Sequence, residues 1–383
     1  MAGAMAVRPD AAFIKDVIAS GGADLKKCMQ CATCSVACDL SPEEAPFPRR
    51  QMIEAQWGLK DKVLADPALW LCHACGRCST LCPRGAKPAE ALAAMRMLAI
   101  RQYAFPAFVG RMATDPRWLP VLFLIPVLIF GAIALWAPKP PAAGEMEFAQ
   151  LFPIPVLEAL FFALSGFLLI AIIVSMRRFM AAMRRGGAGG SFWGGLVPAF
   201  AGIVTHERFA QCVEPGKSTF RYGHQLTLWG FMGLAFMGTV VGMGSMLGIL
   251  RTPLEVGSPL KVFANVSALV ILAGGILLLK ARLQKDTAGP GATFFDWSFL
   301  ATLVGVIATG ILSEILRLVQ FAPALYVVYF VHLVLIFVLF IYAPYSKFAH
   351  FAYRTVAVAL SEPWKPKRPM SSEDQKKLIE LYY

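Results

Sequence analysis

The chain has 383 residues, 57% of them hydrophobic, with 36 Lys and Arg against 24 Asp and Glu and a formal net charge of +12. A mean hydropathy of +0.60 excludes an ordinary water-soluble protein and points to several membrane-crossing helices. The basic excess then reads as loop charge on one side of a membrane, not as a nucleic-acid footprint, and no nucleic-acid partner is expected.

Residues 1–27 carry a short amphipathic helix, with Phe13, Ile14, Val17 and Ile18 on one face. No charged stretch followed by an apolar core opens the chain, so no secretory signal peptide is expected. The first cysteine run follows, Cys28-Met-Gln-Cys31-Ala-Thr-Cys34-Ser-Val-Ala-Cys38. Pro46 and Pro48 break the chain. Arg49 to Asp66 reads as one helix with Ile53, Trp57 and Leu64 inward, ended by Pro67. The second run, Cys72-His-Ala-Cys75-Gly-Arg-Cys78-Ser-Thr-Leu-Cys82-Pro83, repeats the spacing of the first. A helix from about Pro88 to Gln102 closes a domain over residues 1–102, and Pro106, Gly110 and Pro116 make residues 103–117 a linker on the membrane surface.

The repeated run, with its trailing proline, is the spacing of two-cluster ferredoxins. Three close thiolates cap one [4Fe-4S] cube, and the fourth, too near its own run to close that cube, crosses to the other. One cluster is thus expected on Cys28, Cys31, Cys34 and Cys82, the other on Cys72, Cys75, Cys78 and Cys38. Structural zinc uses pairs of cysteines rather than runs of four, and disulfides at this density require an oxidising compartment. The ninth cysteine, Cys212, has no cysteine neighbour and reads as an inert thiol.

Six stretches are long and apolar enough to span a bilayer: 118–137, 153–176, 225–250, 260–280, 296–317 and 323–346. The fold expected is all-α, a two-cluster ferredoxin-like domain followed by a six-helix transmembrane bundle over residues 118–353 and a tail at 354–383. Loops rich in Lys and Arg (Arg177, Arg178, Arg184, Arg185, Arg208, Lys217 and Arg221; then Lys280, Arg282 and Lys285; then the tail) alternate with loops holding only Lys139, Arg251 or Arg317. This places both termini and the cluster domain on the cytoplasmic side of a bacterial or archaeal cytoplasmic membrane, the reducing side that clusters need. The glycine-rich residues 186–200, with Phe192 and Trp193, read as an interfacial loop, and 197–222 as a stretch along the cytoplasmic surface. The glycines and methionines of the third span suit close helix packing. Glu314 within the fifth span reads as one half of an ion pair with Arg317 near the outer surface.

Of five histidines, His73 lies inside the second cysteine run and reads as a polar loop residue. His206, His224, His332 and His350 lie in or near the membrane half, where an ionisable side chain marks function. His332 and His350 fall on one face of a continuous helix, about 27 Å apart if it is straight, with Pro344 between them. One helix could thus offer axial ligands to two stacked haems b. By depth, His224 faces His350, which leaves His332 without a histidine partner; alternatively His206 pairs with His350 and His224 meets His332. One or two haems b are therefore expected. Arg221 and Lys217 suit haem propionates or plain positive-inside anchoring equally. No residue stands out as a quinone site.

On these motifs the first part of the chain resembles the iron–sulfur C subunit of heterodisulfide reductase. The His332–His350 spacing resembles the last-helix ligand pair of the respiratory nitrate reductase gamma subunit. The segment from His224 to Gly233 resembles that family's other ligand helix, with Leu234 where a second histidine is expected. A fusion of the two resembles the C subunits of quinone-interacting membrane-bound oxidoreductases. That resemblance implies menaquinol as substrate, cytoplasmic flavin and iron–sulfur partner subunits, and adenylylsulfate reductase as onward partner in dissimilatory sulfate reduction. No nucleotide-binding glycine loop is visible, so flavin belongs to a partner. The alternatives are the membrane subunit of a heterodisulfide-reductase-type complex and a non-redox anchor or redox sensor.

Overall fold

The computed structural model describes residues 9–42, 44–137, 148–205, 219–283 and 293–361, and among them the secondary structure is helical without strands. Helix α1 (Ala11–Ala19) is capped by the Asp10 carboxylate, which accepts from the Phe13 amide at 3.1 Å, and it buries Phe13 and Val17 on the expected face. Each cysteine run carries a single-turn helix, α2 (Thr33–Val36) in the first and α6 (Arg77–Thr80) in the second.

The helix expected over 49–66 is two, α3 (Arg49–Gln56) and α4 (Lys60–Leu64). Gly58 breaks it at φ +68°, where its carbonyl accepts from the Asp10 amide at 2.9 Å and a Cβ would lie 2.6 Å from the Asp10 oxygen. The break turns Trp57 outward to 59% exposure, against expectation, while Leu64 is buried. Helix α5 (Ala68–Leu71) leads into the second run, and α7 (Pro88–Tyr103) follows it.

Residues 103–117 are more ordered than a linker. They form α8 (Ala107–Ala113) behind Pro106 and a 3-10 turn at Pro116–Trp118. Tyr345 Oη donates to the Phe105 carbonyl and Arg178 to the Ala104 carbonyl, both at 2.6 Å, so the segment is tied to two membrane helices.

Among the described residues, six helices are long and apolar enough to cross a membrane. They are α9 (Leu119–Trp136), α10 (Ile154–Arg185), α12 (Thr219–Met246), α13 (Pro259–Leu283), α14 (Phe294–Leu318) and α15 (Ala322–Tyr342). Between α10 and α12 lies a helix where an interfacial loop was expected, α11 (Phe192–Val204). Two glycines here, Gly190 just before the helix and Gly195 within it, serve close contact. The Gly190 amide donates to the Leu360 carbonyl at 3.1 Å, and a Cβ on Gly195 would lie 2.2 Å from the Ala359 oxygen. Helices α12 and α13 meet in the same way: Cβ atoms on Gly230 and Gly274 would lie 2.5 Å from the backbone nitrogens of Ile271 and Thr227.

The last span does not run straight to His350. Helix α15 ends at Tyr342, 3-10 turns follow at Ala343–Tyr345 and Lys347–Ala349, and α16 (His350–Leu360) begins anew. Pro344 supplies no amide to continue the helix, so the geometry of one straight helix carrying both histidines does not hold.

The hydrophobic core of the cysteine-rich half continues past residue 102. Met176, Phe179 and Met183 of α10 and Tyr353, Val356 and Leu360 of α16 pack with Leu69, Trp70, Met95 and Tyr103. Trp70 stacks on Tyr353 at 4.7 Å, and Phe179 packs against both rings at 6.2 and 5.0 Å. The 32 residues of α10 exceed the roughly 20 that a bilayer needs, and the surplus supplies this shared core.

Candidate functional site

The two cysteine runs share one backbone path. The third residue of each is left-handed (Gln30 at φ +61°, Ala74 at +55°), and so is the fifth (Ala32 at +69°, Gly76 at +81°). These turns curl the chain so that the first three cysteines of a run lie close together, the third within α2 or α6. Sulfur atoms receive hydrogen bonds in matching positions: Gln30 Nε2 donates to Cys28 Sγ and the Ala74 amide to Cys72 Sγ, both at 3.3 Å. The Ala86 amide donates to Cys82 Sγ at 3.3 Å.

A cavity open to solvent is lined by Cys28, Cys31, Cys34 and Cys82 together, the crossed set. The thiols of Cys28, Cys31 and Cys82 act on Cys34, and those of Cys72 and Cys75 on Cys38, so each fourth cysteine lies beside the opposite run. Cys78 stands among Cys72, Cys75, Cys34 and Cys38, at the place where the two sets meet. Burial, reinforced by these neighbours, pushes Cys34 up to about 11 and Cys38 up to about 12, and raises Cys78 as well. Cys31, near the surface, is held below the usual thiol value by the Thr33 hydroxyl. Loading such a site with metal must drive protons off buried thiols.

The donor set fits clusters better than single ions. Among the described residues no three His, Cys, Asp or Glu side chains converge as a site for one metal ion. Zinc, about 2.3 Å from each sulfur, demands that convergence. Sulfurs ringing a cavity suit a cube of several irons.

In the membrane half, the rings of His224 and His350 stand 5.9 Å apart between centroids, inclined at 77°. Two metal–nitrogen bonds of about 2 Å plus half of each ring give roughly this separation, so the two imidazoles are spaced as residues that would hold one haem iron between them. His350 Nδ1 lies 2.6 Å from the Lys347 carbonyl. That bond fixes the proton on Nδ1 and leaves the Nε2 lone pair as the one that would bind a metal. Desolvation pushes the His350 imidazole down to about 4, which keeps it neutral. Arg221, one turn before His224, has its Nε buried without a partner among the described residues, an orphan that a carboxylate would satisfy. A carboxylate of that kind is what a haem propionate offers.

His332 meets no second histidine among the described residues. Its Nδ1 lies 3.1 Å from Thr309 Oγ1 on α14, and that hydroxyl donates to the Gly305 carbonyl at 2.6 Å. Gly310 makes room for the ring: a Cβ there would lie 2.8 Å from His332 Cε1. His206, Cys212 and Lys217 lie outside the described residues. Glu314 pairs with Arg317 at 2.9 Å as expected, and also with Lys261 at 3.1 Å.

Sequence reasoning missed Arg354, read only as one of the basic residues of the tail. Its Nη1 donates to the Cys72 carbonyl and its Nη2 to His73 Nδ1, each at 3.2 Å. His73 is 6% exposed, so it is no loop ornament but a buried contact of α16. Gln30 and Arg49 were also missed; Arg49 Nε donates to Gln30 Oε1 at 3.3 Å and steadies the Cys28 contact. No local spacing signals any of these residues.

Residues 24–86 match the family model of the 4Fe-4S dicluster domain. The C subunit of the H(2):CoB-CoM heterodisulfide,ferredoxin reductase of Methanothermobacter thermautotrophicus is 43% identical over 79 residues, which are 20% of this chain and 42% of that protein. A protein of Archaeoglobus profundus named for its likeness to the heterodisulfide reductase C subunit is 39% identical over 104 residues, 27% of this chain and 53% of that one. This part of the chain is a heterodisulfide reductase C-like 4Fe-4S domain. The C subunit of the ferredoxin:CoB-CoM heterodisulfide reductase of Methanosarcina mazei is 37% identical over 86 residues, 22% of this chain and 53% of that protein. The chain thus spans about half the length of the curated relatives it matches. No solved structure matches it. The 4Fe-4S domain is joined here to six helices long enough to cross a membrane.

Proposed function

We propose that the chain is the membrane electron-transfer subunit of a quinone-dependent oxidoreductase complex. It passes electrons between menaquinol and cytoplasmic flavin and iron–sulfur subunits by way of one haem b and two [4Fe-4S] clusters. The observation that carries this reading is α16. It begins with His350, whose ring faces His224, and one turn later its Arg354 holds the Cys72 carbonyl. A single short helix therefore ties the histidine pair to the second cysteine set.

When bound, the haem and clusters supply one-electron carriage, which divides the two-electron oxidation of a quinol into single deliveries. The residues of the chain set the order. His224 and His350 lie on the membrane side, Cys72, Cys75, Cys78 and Cys38 come next, and Cys28, Cys31, Cys34 and Cys82 lie beyond, joined through Cys78 and Cys34. Lys347 orients His350, and Gln30 and Arg49 steady Cys28. The basic loops support a cytoplasmic position for the dicluster domain, and the resemblance to quinone-interacting complexes supports adenylylsulfate reductase as onward acceptor. A heterodisulfide-reductase-type complex is the second reading, favoured by the identity of the cysteine-rich half to heterodisulfide reductase C subunits.

Anaerobically purified chain should hold about nine irons, eight in clusters and one in a haem b seen by pyridine haemochrome, and both chromophores should be reduced by a menaquinol analogue. Zinc in place of iron, or spectra that a quinol leaves unmoved, would defeat the proposal; the latter result with clusters present would leave an anchor or sensor. Partner subunits that co-purify decide between the sulfate and thiol readings.

A further inference from the structure

The two cysteine sets face different surroundings. The second is covered by α16, through Arg354, and by the Trp70–Tyr353 stack just before Cys72. The first is open: Cys31 is exposed, and Met29 beside it is 66% exposed. The cavity lining includes Arg49 and Arg84 and, among the described residues, no carboxylate. Lys26, Lys27 and Lys87 stand exposed as chain neighbours of that lining. Asp24 pairs with Lys27 at 2.6 Å and with Lys87 at 3.3 Å. Arg84 is exposed and has no ion pair among the described residues.

We infer that this mouth is the electron port of the chain and docks a redox protein with an acidic face, whose own centre comes to rest over Met29 and Cys31. The inference rests on the electron-transfer reading above. Arg49, Arg84, Lys26, Lys27 and Lys87 against Asp24 sum to +4, more than the net charge of about −2 that four thiolates give an oxidised cube. The loaded mouth therefore stays positive. An apolar centre inside a charged rim is the usual layout of a transient protein interface, and the rim charge orients the approaching partner and raises the encounter rate. On its α16 side the second set is occupied by Arg354, which holds the Cys72 carbonyl, and the most exposed of the eight cysteines, Cys31, belongs to the first set.

The test uses the cluster-loaded full chain in zwitterionic nanodiscs, its clusters reduced, with stopped-flow electron exchange to two probes: an acidic flavodoxin and a basic cytochrome c. Iron content and the cluster EPR signals are checked first, so that a chain without clusters counts against the electron-transfer reading and not against the port. At low ionic strength exchange with flavodoxin should be favoured, and Arg84→Glu should slow it about tenfold while speeding the cytochrome. Lys87→Glu should act in the same direction, and high salt should erase the preference. Equal response of both probes to the charge reversals would overturn the port. So would loss of flavodoxin exchange in anionic nanodiscs, since lipid headgroups would then be the occupant.

Discussion

At the scale of single residues, the sharpest distinction lies between two histidines of similar sequence context. His350 shares its space with His224 and has Nδ1 fixed by the Lys347 carbonyl, whereas His332 is bonded to Thr309. His350→Ala should therefore abolish haem binding, and His332→Ala should leave the haem-to-protein ratio unchanged; haem retained in the first variant, or lost in the second, contradicts the ligand assignment. Arg354 makes a second residue-scale prediction. Arg354→Gln removes a charged donor from the Cys72 carbonyl and His73, a change worth about 1–3 kcal/mol. Redox titration followed by EPR should show the second cluster moving to lower potential while the first stays put. Equal shifts in both would make Arg354 a general structural contact. The cysteine runs were legible in the sequence because ligation is written in local spacing. Arg354 was not, because its partners lie 281 and 282 residues away along the chain.

At the scale of elements, six spans could be read from apolar runs because a bilayer imposes a length on every helix that crosses it. The breaks could not. Gly58 and Trp57 sit in a helical pattern until the backbone of Asp10 crosses them, and that contact has no local signature. Helix α11 was hidden for a related reason: glycine is a poor helix former, so a run of glycines reads as a loop until a partner needs their small size. Gly195 faces Ala359 of α16 with no room for a side chain, while Gly202 on the same helix has open space around it. Gly195→Leu should cost about 1–3 kcal/mol through forced separation of α11 from α16. Gly202→Ala should be neutral or stabilise by about 0.5–1 kcal/mol through helix propensity. Thermal midpoints of the two variants give the comparison, and similar losses in both would mean that α11 does not rest on α16.

At the scale of the whole molecule, hydropathy divides the chain at about residue 103, yet the packing does not. Trp70, two residues before the second cysteine run, lies on Tyr353, three residues after His350, and Phe179 of α10 closes against both. The proposed function sets one redox centre in each half and so requires a fixed separation between them, and this buried stack is the contact that would fix it. The halves should therefore come apart together. In the loaded protein, heat should bleach the cluster absorbance and the haem absorbance in one transition. Tyr353→Ala leaves a cavity among fully buried aromatic rings and should lower both midpoints by the same amount, for a loss of about 3–5 kcal/mol. Tyr353→Phe keeps the stack and removes only a hydroxyl that has no hydrogen-bond partner among the described residues, so it should be near neutral or stabilising. Clusters that bleach well below the haem transition, with Tyr353→Ala moving one midpoint and not the other, would show two independent domains and a junction free to flex.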